Sequence, residues 1–402
     1  PHCARQPSLG EILLLGSLTA FGAITIDLYL PAMPAIAREF AASPAMVQLT
    51  LSTFFVGMAV GQLFFGPLSD RIGRRPTILI GCAVYMAASL ACALAPSIEA
   101  LVAGRFLQAL GCCAGMVTCR AIVRDRYDHR DSARIFSLFM LVLAVAPLLA
   151  PTLGGWIAAA AGWHAVFLVL VAVGAAVALA VGLRLDESRS AATAAAARQS
   201  SVLASYGQLL RQRRLIGYLL VGAANGTALF SYIAASPDLV VGTWGFSEGQ
   251  FGLVFAAIAA GVVGSSQINR ALLRRHSPDR ILAAASVGAA CVGAALLVAA
   301  LVGAALPVTF ALLFAALGSN GLIAANASAG ALNVDPLRAG AVSGLMGGVN
   351  FGSGALASAL AAALYDGTAV PLAANIAAGM LVAAAAYHLL ARPDAVRAAT
   401  SV

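Results

Sequence analysis

The sequence predicts an all-α membrane protein with twelve transmembrane helices in two pseudo-symmetric six-helix bundles. Three observations predict it. Of the 402 residues, 61% are apolar and only 10% charged, whereas soluble domains carry about 25% charged residues. The apolar residues gather into runs close to the roughly 20 that cross a bilayer. The basic residues are all arginine, with no lysine, and they cluster on alternate connections between those runs.

In the first half the runs cover residues 9–30, 46–66, 77–95, 98–122, 134–160 and 163–183. In the second half they cover 214–236, 247–269, 280–302, 305–329, 339–363 and 369–391. With twelve crossings, both termini lie on one side. The N-terminal segment and the even-numbered connections carry Arg5; Arg71, Arg74 and Arg75; Arg120, Arg124, Arg126, Arg130 and Arg134; and Arg184, Arg189, Arg198, Arg211, Arg213 and Arg214. They continue with Arg270, Arg274, Arg275 and Arg280; Arg338; and Arg392 and Arg397. Only Arg38 falls on the opposite face, and Arg105 lies inside a span. Under the positive-inside rule the arginine-rich face is cytoplasmic. One missed helix would scramble this asymmetry, so it also supports the span count. A bacterial inner-membrane protein with both termini cytoplasmic is expected.

Residues 184–213 are the long polar interruption. They read as a cytoplasmic linker, with Tyr206–Arg214 an interfacial helix. The linker separates an N-terminal bundle, residues 1–183, from a C-terminal bundle, residues 214–402, that ends in a short tail. At an offset of 200 residues Arg74-Arg75 meets Arg274-Arg275 and Asp70 meets Arg270, so the second copy has diverged.

Composition excludes several functions. The net charge of +8 would suggest nucleic acid in a soluble chain, but its alternation along the spans ties it to the membrane. The seven cysteines lie mostly inside apolar runs without ligand spacing, which argues against a metal site or a disulfide framework. The first apolar run is span-length and continues into the body of the chain, so no cleavable signal peptide is expected. No His-Glu-x-x-His, Gly-x-Ser-x-Gly or Gly-x-x-x-x-Gly-Lys motif occurs, so neither an enzyme nor a nucleotide-driven pump is indicated. No cofactor is expected, and the anticipated partners are a small-molecule substrate, protons and lipid, with a monomeric protein.

Between the second and third runs lies Gly66-Pro67-Leu68-Ser69-Asp70-Arg71-Ile72-Gly73-Arg74-Arg75-Pro76, read as a charged hairpin. Its Gly-x-Leu-x-Asp-Arg-x-Gly-Arg-Arg pattern resembles the signature loop of the major facilitator superfamily. The resemblance implies a conformational gate formed by Gly66, Asp70, Arg71, Gly73, Arg74 and Arg75. Asp125, in Arg124-Asp125-Arg126-Tyr127 after span 4, would supply an acidic partner for those arginines.

Asp27 lies in Asp27-Leu28-Tyr29-Leu30-Pro31-Ala32-Met33-Pro34 at the outer end of span 1. A carboxylate at membrane depth is costly, so a site facing the transport path suits it as a proton-coupling group. The competing reading is an outer-surface aspartate capping the turn before Pro31. The segment resembles the Asp-x-Tyr-x-Pro-x-x-Pro of the Bcr/CflA branch of drug:proton antiporters. Some multidrug relatives carry a second acid about two turns earlier, where this chain has Thr19. That departure favours neutral or zwitterionic substrates.

Arg105, in Gly104-Arg105-Phe106-Leu107-Gln108-Ala109-Leu110-Gly111, resembles the span-4 arginine motif of proton-dependent facilitators, with Ala109 in place of a glycine. It would lie about 9 Å below the outer edge at 1.5 Å per residue, near the depth of Asp27; the alternative is an arginine snorkelling to outer headgroups. In span 5, Ala146-Pro147-Leu148-Leu149-Ala150-Pro151-Thr152-Leu153-Gly154-Gly155 resembles the antiporter motif, and Pro147, Pro151, Gly154 and Gly155 carry it. Two prolines permit a bend and small residues allow close packing, which a plain kinked helix would also need. Polar or aromatic pocket candidates are Tyr29, Phe54, Gln62, Gln108, Asn225, Phe230, Tyr232, Asn320 and Asn350, with Asn326 and Phe351 beside them.

The resemblance implies an alternating-access transporter in which proton entry drives export of small drugs of the chloramphenicol and bicyclomycin class. Export of an endogenous metabolite with incidental drug efflux is the alternative. A non-transport membrane protein is disfavoured.

Overall fold

The computed structural model describes residues 9–127, 149–190, 202–335 and 338–392, and among these every regular element is helical. Lipid leaves no other choice for single segments, because each backbone N–H and C=O must be satisfied within the element. Eleven stretches are long and apolar enough to cross a membrane, and Leu149–Ala161 is a shorter apolar helix within the predicted fifth span. Residues 134–148 of that span, with Pro147, lie outside the described residues.

In the first half, α1 is Leu9–Asp27, α2 Met33–Glu39, α3 Pro44–Ile72, α4 Arg74–Ala93, α5 Ile98–Arg126, α6 Leu149–Ala161 and α7 Trp163–Arg184. In the second, α8 is Val202–Leu209, α9 Arg213–Pro237, α10 Glu248–Leu272, α11 Pro278–Leu301, α12 Leu306–Gly318, α13 Asn320–Val334, α14 Ala339–Leu364 and α15 Val370–Ala386. The starts follow local chemistry. Ser43, Ser97 and Ser277 each accept a hydrogen bond from the backbone N–H three residues on, and Pro44 and Pro278 open their helices, where proline loses nothing.

Four expectations are corrected. The charged hairpin 66–76 does not exist: α3 runs through Pro67 to Ile72, α4 begins at Arg74, and the turn is Gly73 alone. Gly73 takes φ +112°, a conformation that favours glycine. Helix continues past Gly66-Pro67, and its last turns are tied where Ser69 Oγ donates to Gly66 O at 2.9 Å and itself accepts from Arg74 Nη1 at 2.7 Å. Span 1 is not one helix: α1 ends at Asp27, and a 3-10 turn, Leu30–Ala32, leads into α2, since Pro31 and Pro34 lack donors for a continuous ladder. Span 10 breaks at Ser319 into α12 and α13. The short linker helix is Val202–Leu209 rather than Tyr206–Arg214, and Gln212 starts the next span.

Contacts divide the chain into two compact units, Pro1–Ser200 with Ser247–Ala256, and Ser201–Phe246 with Ala257–Val402. Inside the first, α5 packs on α3 and α4, and α4 packs on α7. Glycine sets these distances: a Cβ on Gly111 would lie 2.5 Å from Tyr85 N and 2.6 Å from Gly81 O, and one on Gly57 would lie 2.6 Å from Phe106 O. Inside the second, α9 packs on α14 and α15, and α11 packs on α15.

Candidate functional site

Asp27 closes α1, where the chain turns away from helix, and it is only 4% exposed. Its Oδ2 has no hydrogen-bond partner among the described residues. An aspartate capping a surface turn would be solvated; this one is enclosed. Next to it, any side chain at Gly154 of α6 would collide with the backbone of Leu28. The antiporter-motif helix therefore passes directly against the residue that follows Asp27. Pro151, Gly154 and Gly155 are all buried in α6.

Arg105, in the third turn of α5, is fully buried. Its Nη1 donates to Gln108 Oε1 at 2.6 Å, and Gln108 Nε2 donates to Ser89 Oγ of α4 at 2.8 Å. Ser89 Oγ in turn donates to Tyr85 O at 2.7 Å. The guanidinium carbon lies 4.3 Å from the ring centroids of both Tyr29 and Phe54. Such desolvated cation–π contacts contribute up to about 2 kcal/mol. Thr50 Oγ1 donates to Val47 O at 2.6 Å, so the Tyr29 hydroxyl, 2.6 Å from Thr50 Oγ1, is the donor of that pair.

Sequence reasoning named Arg105, Gln108, Tyr29 and Phe54, and the structure joins all four. It missed Ser89, Thr50, Thr25 and Tyr85, the last two hydroxyls meeting at 2.8 Å. Small hydroxyls are too common in spans to signal a site. Asp27 and Arg105 form no ion pair, and Arg105 Nε and Nη2 have no hydrogen-bond partner in the described structure. Tyr29, two residues after Asp27, is the link between them. Thr19 is buried and its hydroxyl is occupied, donating to Leu15 O at 3.0 Å and lying 3.1 Å from Cys119 Sγ.

At the other end of the first unit, the signature residues are bonded to one another. Arg74 pairs with Asp70 at 2.5 Å and with Asp125 at 2.9 Å. Arg75 Nη2 donates to Gly182 O at 2.6 Å. Arg71 is exposed and takes part through its carbonyl, which accepts from Arg189 Nη1, while half-buried Gly66 sits within α3.

The unanticipated member is Glu187. Its carboxylate accepts from Arg74 N at 2.9 Å, Arg75 N at 3.2 Å and Arg189 N at 2.9 Å, so it caps the first turn of α4. Burial works against its charge, but the backbone N–H groups of Arg189, Arg74, Arg75 and Ser188 outweigh that and hold the carboxyl below the usual glutamate range. Ser188 Oγ donates to Asp125 Oδ2 at 3.3 Å. Arg126 pairs with Glu11 at 2.5 Å and also donates to Asp186 O. The segment Asp186–Arg189 thus clasps the turn at Gly73. Two consecutive acids at the end of a span were its only signal.

The remaining pocket candidates scatter. Gln62 is buried in α3. Asn225, Phe230 and Tyr232 are buried along α9, where Phe230 pairs with Phe351 at 5.6 Å. A Cβ on Gly226 would meet Asn350, so Asn350 lies in the α9–α14 seam. Asn320 begins α13, and Asn326 Nδ2 bonds Asn269 Oδ1 at 2.7 Å. Phe230, Asn350 and Phe351 thus lie along one α9–α14 seam.

The model of the Major Facilitator Superfamily matches residues 13–359. The chain belongs to the Major Facilitator Superfamily. It is a multi-pass membrane transporter of that superfamily. It is 33% identical over 390 residues, 96% of each chain, to an uncharacterized MFS-type transporter, YdgK, of Bacillus subtilis (strain 168). It is 31% identical over 380 residues, 94% of this chain and 95% of the other, to a bicyclomycin resistance protein homolog of Haemophilus influenzae. The crystal structure of a D-xylose-proton symporter shares the fold, with TM-score 0.71 at 14% identity over 94% of this chain and 96% of that one. The first unit thus holds an enclosed acid and base, Asp27 at the end of α1 and Arg105 near the start of α5, and a bonded set of charges around Gly73 at its other end.

Proposed function

We propose that this transporter exports small neutral or zwitterionic drugs, of the chloramphenicol and bicyclomycin class, from the bacterial cytoplasm in exchange for protons. The observation that carries the reading is Asp27, a carboxyl enclosed at the end of α1 with one oxygen unpartnered. It stands against the antiporter-motif helix and two residues from the ring that stacks on Arg105. A group so enclosed exchanges protons only when a conformation opens it. A difference in proton affinity between conformations then couples proton entry to substrate exit, at about 1.4 kcal/mol for each unit of pKa difference. The transmembrane potential adds roughly 2.3 kcal/mol per charge per 100 mV. The arginine-rich face, with both termini, is cytoplasmic in this reading, the membrane is the inner one and the working protein is a monomer without cofactor. The similarity to the bicyclomycin resistance protein homolog of Haemophilus influenzae supports bicyclomycin as a first substrate to try.

The test compares substrate counterflow with pH-jump-driven uptake in vesicles holding the purified chain. Asp27→Asn is expected to abolish proton-driven accumulation and to spare counterflow. Full proton-driven accumulation by this variant would remove Asp27 from the coupling role. Susceptibility of an efflux-deficient host expressing the chain, across chloramphenicol, bicyclomycin and sulfonamides, tests the substrate class.

A further inference from the structure

The two halves of the chain treat the same arginine pair differently. In the first, the Arg74 guanidinium pairs with Asp70 and Asp125 and that of Arg75 donates to the Gly182 carbonyl, while Glu187 accepts from the backbone N–H groups of both. In the second, Arg274 and Arg275, at the 200-residue offset, sit on the turn between α10 and α11 with Arg270, His276 and Arg280 close by in sequence. All five side chains are exposed. None of them makes an ion pair in the described structure. The sole acid of this connection, Asp279, is turned inward: its Oδ1 accepts from Tyr218 Oη at 2.6 Å, and its carbonyl accepts from Tyr387 Oη at 2.8 Å.

The turn that displays these cations is well ordered. Leu273, Arg275 and His276 donate backbone bonds of 2.9 Å to Asn269 and Leu272, and Ser277 caps α11 over Pro278. Beside the arginines, Ile268, Leu272 and Leu273 are 56%, 36% and 42% exposed. Apolar side chains bordering guanidinium groups at a span end place the cations at headgroup level, with hydrocarbon beneath.

We propose that the turn from Arg270 to Arg280 binds the headgroups of anionic phospholipids of the cytoplasmic leaflet. Guanidinium groups take phosphate oxygens in bidentate fashion, and the lipid supplies here the anions that Asp70 and Asp125 supply to Arg74 in the first half. A soluble phosphate would offer the arginines the same oxygens but no acyl chain for the bordering Leu272 and Leu273, which is why a lipid is the occupant. The assignment rests on the cytoplasmic placement of this face; the binding test itself is blind to orientation, so the two fail separately.

The experiment titrates the purified full chain, in nanodiscs of phosphatidylcholine, with increasing phosphatidylglycerol, reading thermal stability and bound lipid. The four-fold variant R270Q/R274Q/R275Q/R280Q is expected to lose half-saturation within the accessible range of phosphatidylglycerol, since each arginine near an anionic surface changes affinity roughly fivefold and four such steps compound to roughly several hundredfold. The single variants R274Q and R275Q should shift by about that single step. The four-fold lysine variant should keep the charge-driven part of the response while binding more weakly than the wild-type chain, since an ammonium cannot take phosphate oxygens in bidentate fashion. In pure phosphatidylcholine all variants should melt with the wild-type chain. An unchanged lipid response in the single and four-fold glutamine variants overturns the proposal. Equal stabilisation by millimolar glycerol phosphate, without lipid, overturns the lipid as occupant.

Discussion

Arg105 brings five N–H groups into a site where no described carboxylate reaches it. Its position is held instead by Gln108 Oε1 and by two aromatic faces at equal distance. A planar, delocalised cation can do both at once; an ammonium cannot stack in this way. Arg105→Lys is therefore expected to lower the kcat/KM of counterflow by about tenfold or more, the equivalent of ~1.4 kcal/mol, while circular dichroism and expression stay at wild-type levels. Wild-type transport by the lysine variant would show that charge alone is used. The residue-scale signals divide by chemistry. A single arginine or aspartate in an apolar run is conspicuous because its cost must be met by something, so Arg105 and Asp27 were legible. Ser89 and Thr50, which hold Gln108 and Tyr29 in place, were not, because a hydroxyl in a helix can always bond its own backbone.

At the scale of elements, span positions were legible from run length and their ends were not. The segment 66–76 reads as a charged hairpin, but the helix runs on through Pro67 to Ile72, and Ser69 and Arg74 tie its last turns. The clasp by Glu187 was hidden for a different reason: it joins residues more than a hundred positions apart. Its carboxyl is held below the usual glutamate range. A group depressed in the folded state contributes stability above its unfolded value, about 4.3, and loses it as pH falls through the folded value. Hydrogen exchange of the Arg74 and Arg75 amides should accordingly quicken as pH drops below about 4.3, after correction for intrinsic rates. Glu187→Gln should show faster exchange already at neutral pH, by on the order of 1 kcal/mol for a charge-assisted bond discounted for exposure. Invariant exchange in both would leave Glu187 without a capping role. Packing gives a second prediction. A Cβ at Gly111 meets Tyr85 N and Gly81 O at 2.5 and 2.6 Å, whereas one at exposed Gly288 meets nothing within 4 Å. Gly111→Ala should cost about 1–3 kcal/mol by forcing α4 from α5. Gly288→Ala should cost nothing and gain up to about 1 kcal/mol of helix propensity. Melting temperatures of the two variants in one detergent decide it.

For the whole molecule, the arginine distribution is the strongest statement the sequence makes, because it integrates every span at once. The apolar runs predicted twelve crossings and the arginine asymmetry supported that count; the described residues contain eleven long apolar stretches and the shorter helix Leu149–Ala161. The same distribution predicts sidedness. Arg275 lies on the α10–α11 turn, which the rule assigns to the cytoplasm, and Val302, 73% exposed, lies on the next connection, across one span. Among the described cysteines, Cys291 alone is exposed, so a background with Cys3 and Cys291 replaced by serine is quiet toward maleimides. In that background Val302→Cys should react with a membrane-impermeant maleimide in intact spheroplasts, and Arg275→Cys should react only after permeabilisation. The energetic reason is cumulative. Each arginine carried across to the other face would meet a translocation cost of roughly 2.3 kcal/mol per 100 mV, and that cost multiplies over the whole arginine-rich face. Labelling of Arg275→Cys in intact spheroplasts, with Val302→Cys protected, would invert the topology. It would also place Asp27 on the wrong side to receive protons from outside, so this one measurement bears on the direction of transport as well as on the fold's orientation.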